Sequence, residues 1–99
     1  MANTKETLES ILETRGSNYG PFPTQAIIAQ DLKKAVHYGL GQNPRLHSMD
    51  ADRKNALIEG LDMICHKISR ICNGDPTFDD NWIDISGYST ITAKAIKEE

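Results

Sequence analysis

The stretch ADRKNALIEGLDMICHKISRICNGDP, residues 51–76, decides the fold. Leu57, Leu61, Ile64, Ile68 and Ile71 recur at spacings of 4, 3, 4 and 3, which places them on one face of a helix and makes that face a coiled-coil-like seam. Ser48 or Asp50 can cap the start by accepting a hydrogen bond from a free main-chain N–H. Asn73-Gly74 is a C-terminal stop signal, and Pro76 marks the exit.

Upstream, Ile28, Leu32, Ala35 and Val36 form a second amphipathic stripe from about Thr24, fading at Gly39 and Gly41. GQNPRLHS (residues 41–48) reads as the loop between the two helices. Asn3-Thr4-Lys5-Glu6 has the form of a capping box, and Leu8, Ile11 and Leu12 follow at helical spacing. A first helix is therefore expected over about residues 4–15, stopped by Arg15-Gly16. GSNYGPFP (residues 16–23), with two glycines and two prolines, predicts a tight loop carrying Tyr19 and Phe22. Downstream, FDDNWIDISGY (residues 78–88) opens a last helix that starts near Asp79 or Asp80 and runs to Lys97-Glu98-Glu99. No alternating run predicts a strand. The expected architecture is all-α: a compact bundle of about four helices, one domain over residues 1–99.

Bulk properties narrow the function classes. No apolar run approaches the roughly 18 residues that a membrane span needs, so no membrane partner is expected. The N-terminus lacks the basic start and apolar core of a secretory leader, which predicts a cytoplasmic protein. A net charge of -3, with eleven basic residues scattered along the chain, argues against a broad basic face for duplex nucleic acid. Cys65 and Cys72 lie seven residues apart on one helix, too far for a disulfide, and predict two buried reduced thiols. His37, His47 and His66 show no zinc spacing, and the first two are expected to face solvent. A long third helix that is hard to cover on all sides predicts a symmetric homo-oligomer built along it.

On that helix Glu59, Asp62, His66 and Arg70 fall opposite the apolar seam. They form either a solvated face with pairs one turn apart, or a ligand stripe in which carboxylates hold a hard cation and Lys67 and Arg70 neutralise phosphate. In the last helix, Asp79 or Asp80 serves as N-cap. Trp82 falls on the core face with Ile85 and Ala93, and Gly87 beside Tyr88 predicts close helix approach. Asp84, one turn inside, is either the partner of a buried cation, Arg70 or Lys67, or a metal ligand. No nucleophile elbow, phosphate-binding glycine loop or HExxH motif is present.

RGSNYG (residues 15–20), MICHKISRICNGDP (residues 63–76) and DNWIDISGY (residues 80–88) together resemble a family of small all-α proteins encoded by tailed phages and prophages. That family is in turn distantly similar to the MazG-like nucleotide pyrophosphatases, which implies a MazG-like helical fold with acids from two helices holding Mg²⁺ around a nucleotide. The matching positions are Glu59 and Asp62, then Asn81 and Asp84. Asn81 stands where the resemblance expects a glutamate, and the first pair lacks its doubled acid, which points away from turnover. What remains is a phosphate-binding set, Arg15, His66, Lys67 and Arg70, with Tyr19 or Tyr38 against a base. The expected function is binding of a nucleotide or other phosphate-bearing ligand, sequestering a host immune signal intact. The alternatives are a Mg²⁺-dependent nucleotide pyrophosphohydrolase, with Glu59, Asp62 and Asp84 as metal ligands, and a protein-binding accessory or inhibitor of a host defence system.

Overall fold

The computed structural model describes residues 4–97, with side chains from residue 7 onward. The capping box proposed at Asn3 to Glu6, like Glu98 and Glu99, lies outside them. All regular structure among the described residues is helical: α1 (Thr4–Tyr19), α2 (Phe22–Gly41), α3 (Pro44–His47), α4 (Ala51–Asn73) and α5 (Asp79–Ile96). No helix among these residues is long and apolar enough to cross a membrane.

Helix α4 is the axis, and α2 and α5 pack along it. Asp50 caps it, its Oδ2 accepting from Arg53 N at 3.0 Å. Both neighbours run antiparallel to it. Asn73 Nδ2 reaches Pro21 O at the start of α2, at 2.9 Å, while His37 near its end meets Asp62 at 2.6 Å. Lys67 pairs with Asp84 at 2.8 Å, and Arg53 Nε donates to Ile96 O at 3.0 Å at the far end of α5.

Gly60 and Lys67, seven residues apart, are buried on the flank of α4 that faces α5. Gly60 permits the closest approach, because a Cβ there would collide with the Thr92 side chain. Gly87 plays no such part, since it has open space around it. Cys65 and Ser69 are buried on the other flank, toward α2. At 100° per residue these two flanks lie roughly opposite one another on α4. The apolar seam of Leu57, Leu61, Ile64 and Ile68 falls between them and is only half-buried. The opposite face, with His66 and Arg70, receives the C-terminal turns of α1 instead. What reads as a solvated face is thus partly covered, and what reads as the core seam is partly open.

The shape follows from this arrangement. The molecule measures 54 × 27 × 24 Å, and its radius of gyration of 16.6 Å exceeds the roughly 13 Å of a compact domain of this length. The expected compactness is therefore not met by the single chain. Buried apolar side chains are few (Ala29, Leu46 and Cys65), whereas Leu8, Ile11 and Leu12 on α1 and Ile83 and Ile91 on α5 are about half exposed or more.

Several boundaries differ from expectation. Helix α1 continues through Gly16, which has open surroundings, and only Gly20-Pro21 separates it from α2. GSNYGPFP is therefore mostly helical, and a propensity cost of about 1 kcal/mol at Gly16 does not stop α1. GQNPRLHS contains α3: Asn43 Oδ1 accepts from Arg45 N at 3.0 Å, Pro44 occupies the first turn, and Leu46 is buried. Cys72 is exposed rather than buried, and both thiols are free.

Helix α5 is rotated from its expected phase. Asn81, 1% exposed, points inward, and Trp82, 55% exposed, does not. The Trp82 indole N–H donates to Pro76 O at 3.0 Å, holding the ring against the incoming turn. The N-cap is Phe78, with no side-chain cap bond; Asp79 and Asp80 occupy the first turn, where they complement the helix dipole. Asp75 does the turn-forming work, its Oδ1 accepting from the Thr77 N–H at 2.9 Å and the Thr77 hydroxyl at 2.7 Å.

Candidate functional site

The junction of α1 and α2 is locked onto the exit of α4. Gly20 has φ +75°, a left-handed conformation that favours glycine, and a Cβ there would strike Asn73 O. Gly74 is equally close to Asn18 and Tyr19. Asn73 Nδ2 donates to Tyr19 O at 2.8 Å as well as to Pro21 O, and Asp75 N donates to Asn18 O at 2.8 Å. The segments RGSNYG and ICNGDP, distant in sequence, are therefore two halves of one junction.

Beside this junction lies a cavity of about 340 Å³ lined by both sides of the lock, a volume within the range of small-ligand sites. Its polar lining is Arg15 from α1, Gln25 from α2, and His66 and Arg70 from α4; Tyr19 and Phe22 supply the aromatic walls. Among the described residues no carboxylate lines it. Neither Arg15 nor Arg70 has an ion-pair partner among the described residues. The Arg70 guanidinium lies 4.2 Å from the Tyr19 ring centroid, and Phe78 packs against Tyr19 with ring centroids 5.9 Å apart. Arg70 Nε is buried without a hydrogen-bond partner among the described residues. Burial, and then the positive charges of Arg70, Lys33 and Lys67, hold the His66 imidazole below its ordinary pKa. An anion in the cavity would reverse the electrostatic part of that shift.

Four of the five ligand-binding residues expected from sequence, Arg15, Tyr19, His66 and Arg70, meet here. Lys67 does not line the cavity, being buried in the α4–α5 interface as the partner of Asp84. Of the two cations weighed for Asp84, Lys67 is the one it meets. Tyr38, near the end of α2 and 73% exposed, is not part of the lining; Phe22 is the ring with an open face at the rim.

The proposed metal ligands are not gathered. Asp62 is bound to His37, Asp84 to Lys67, and Glu59 lines a separate, largely apolar groove with Met63, Tyr88, Ile91 and Thr92. Asn81, at the position where the resemblance expects an acid, is sealed in with neither amide atom paired. Among the described residues no group of three or more His, Cys, Asp or Glu could hold a metal ion. The described donor set of one chain therefore does not fit Mg²⁺, which requires several oxygen ligands in near-octahedral array. Asp84 already neutralises a cation, and Asp62 is held by the His37 ring.

Sequence reasoning missed Gln25 and Phe22. Gln25 stands three residues before Ile28 and seven before Leu32 on the apolar stripe of α2, and a polar residue in such a stripe is the signal that could have marked it. Phe22 was hidden by the loop assignment.

No protein-family model, no curated protein and no solved structure matches the chain.

Proposed function

We propose that the protein binds a phosphate-bearing ligand of the nucleotide class in the cavity between α1, α2 and α4 and holds it without turnover. The observation that carries this reading is the cavity's lining among the described residues: two guanidinium groups without carboxylate partners, an imidazole beside cations, and no acid. Arg15 and Arg70 provide fork-shaped donors suited to phosphate oxygens, and Phe22 offers a face for a base. Hydrolysis would need a metal or base to activate water, and Glu59, Asp62 and Asp84 all lie outside the cavity lining. The role that follows is sequestration in the cytoplasm of a bacterial host. The resemblance to phage-encoded proteins favours a host signalling nucleotide as the ligand.

Calorimetric titration with a panel of linear and cyclic nucleotides tests this. At least one is expected to bind, to weaken by tenfold or more in Arg70→Leu, and to be recovered intact after denaturation. Absence of heat with every member, pyrophosphate included, would overturn it.

The half-open seam of α4 and the exposed Leu8, Ile11 and Leu12 favour self-association as part of the same reading. Burying one such side chain contributes about 1.5–3 kcal/mol, and the single chain leaves several uncovered. Light scattering is expected to give a multiple of the chain mass, and a monomer across a wide concentration range would refute it.

A further inference from the structure

Gln25 is 4% exposed, yet its side-chain amide makes no hydrogen bond to any described residue. Its main-chain N–H is satisfied by Pro21 O at 3.1 Å. The amide differs from that of Asn81, whose two polar atoms are sealed from solvent; neither amide atom of Gln25 is sealed in this way, and the residue lines the cavity beside Arg15, His66 and Arg70. A buried amide without an internal partner is costly to keep. Here the cavity is its outlet, and a ligand group that offers both a donor and an acceptor can satisfy it.

An amide carries an acceptor oxygen beside an N–H₂ donor. Adenine presents the complementary pair, the N6 amino donor next to the N7 acceptor, and a glutamine can engage both at once. On the corresponding edge guanine shows two acceptors, N7 and O6, so a glutamine amide there leaves its own oxygen unpaired. Phe22 lies one turn before Gln25 on α2, three residues away, which places the aromatic wall and the amide on neighbouring positions of one helix face.

From this placement we infer that Gln25 is the specificity-determining residue of the cavity, reading an adenine edge while Arg15 and Arg70 hold phosphate and Phe22 covers the base. The inference rests on the phosphate-ligand reading of the cavity and adds the base to it. It also accounts for a polar residue on the buried stripe of α2, where leucine or methionine would pack without an unmet amide.

The full chain is titrated calorimetrically with pyrophosphate, ADP and GDP, alongside Gln25→Met and Gln25→Leu. ADP is expected to bind about tenfold or more tighter than GDP. Both variants should lose that preference while binding pyrophosphate within about twofold of the parent chain. Without ligand, Gln25→Met should melt at or above the parent temperature, because an unpaired amide is replaced by an apolar group of similar size. Binding of pyrophosphate with no preference for ADP over GDP would overturn the role of Gln25 and leave the phosphate reading standing. Failure of all three probes would overturn both. A lowered melting temperature in both variants, with the ADP preference retained, would show the amide to be structural and end the proposal.

Discussion

Replacing Asp84 by asparagine removes the charge 2.8 Å from the Lys67 ammonium and tests whether Asp84 is a structural counter-ion. The Lys67 side chain is 11% exposed and that of Asp84 45%, so the pair is buried on one side and open to water on the other. A fully buried pair broken on one side costs about 3–5 kcal/mol, and a surface pair about 0–1 kcal/mol. The half-open geometry sets Asp84→Asn between them, at the value for a hydrogen bond to a charged group, about 2 kcal/mol. For a chain of this size that is a fall in melting temperature of roughly 8–16 °C. Lys67→Met should be milder, since it leaves an exposed carboxylate where the first variant leaves a buried ammonium. The double variant should lie close to Lys67→Met alone, giving a coupling energy of about 1–2 kcal/mol in urea denaturation. Ligand affinity should be unchanged in Asp84→Asn at temperatures where it is folded. A variant of parental stability that has lost nucleotide binding would refute the reasoning and return Asp84 to the ligand site.

Three further outcomes follow from the packing and the cavity. Gly60→Val should destabilise by about 1–3 kcal/mol through overlap with Thr92, whereas Gly87→Ala, with open space around it, should stabilise by about 0.5–1 kcal/mol; thermal melts of both check the α4–α5 register. Because folding depresses the His66 pKa, the unfolded chain takes up this proton first as pH falls, so this contribution to stability is complete above about 6.5 and is lost below it. Phosphate binding should move the other way, tightening as pH falls from 8 to 6 with proton uptake, and both trends should flatten in His66→Asn, measured by calorimetry in buffers of different ionisation enthalpy. Arg70→Lys should cost about 0.5–1 kcal/mol of stability, as the stacked guanidinium over Tyr19 is lost, and should weaken pyrophosphate binding about tenfold.

The parts of the fold legible in the sequence were those fixed by local signals. Helix α4 follows from its apolar spacing, a cap at Ser48 or Asp50 and the Asn73-Gly74 stop, and the start of α5 from the break at Pro76. The phase of α5 was not legible. Trp82 is the larger apolar residue and pattern alone turns it inward, but Lys67 on α4 needs a carboxylate, and placing Asp84 against it brings Asn81 inward and Trp82 out. The α1–α2 segment departs from the expected loop for a different reason: Gly16 and Pro23 are tolerated within helices here, and of its two glycines only Gly20 adopts a backbone conformation that favours glycine. Which face of α4 is covered was hidden too, because it depends on where α1 docks, and docking is set by main-chain contacts of Asn18, Tyr19 and Pro21 that leave no mark on hydropathy.

The same contacts gather four of the residues that the sequence nominates for a ligand. Arg15, Tyr19, His66 and Arg70 lie in RGSNYG and MICHKISRICNGDP, the segments that contain the glycines interlocking at the junction. Gly20 and Gly74 let α1 approach α4 closely enough for Tyr19 to lie under Arg70, and that approach brings Arg15 to the same cavity. A close junction there and a basic cavity beside it are therefore one structural feature, and a change that opens the junction should weaken the site without touching any residue that lines it. Asn73 is the place to separate the two: its amide ties Tyr19 O and Pro21 O but does not line the cavity. The short side chain of Asn73→Ala leaves both carbonyls without that donor, at a cost of about 1–3 kcal/mol, and should loosen phosphate binding with it. Full phosphate affinity in a destabilised Asn73→Ala chain would show that the cavity holds its shape without the lock.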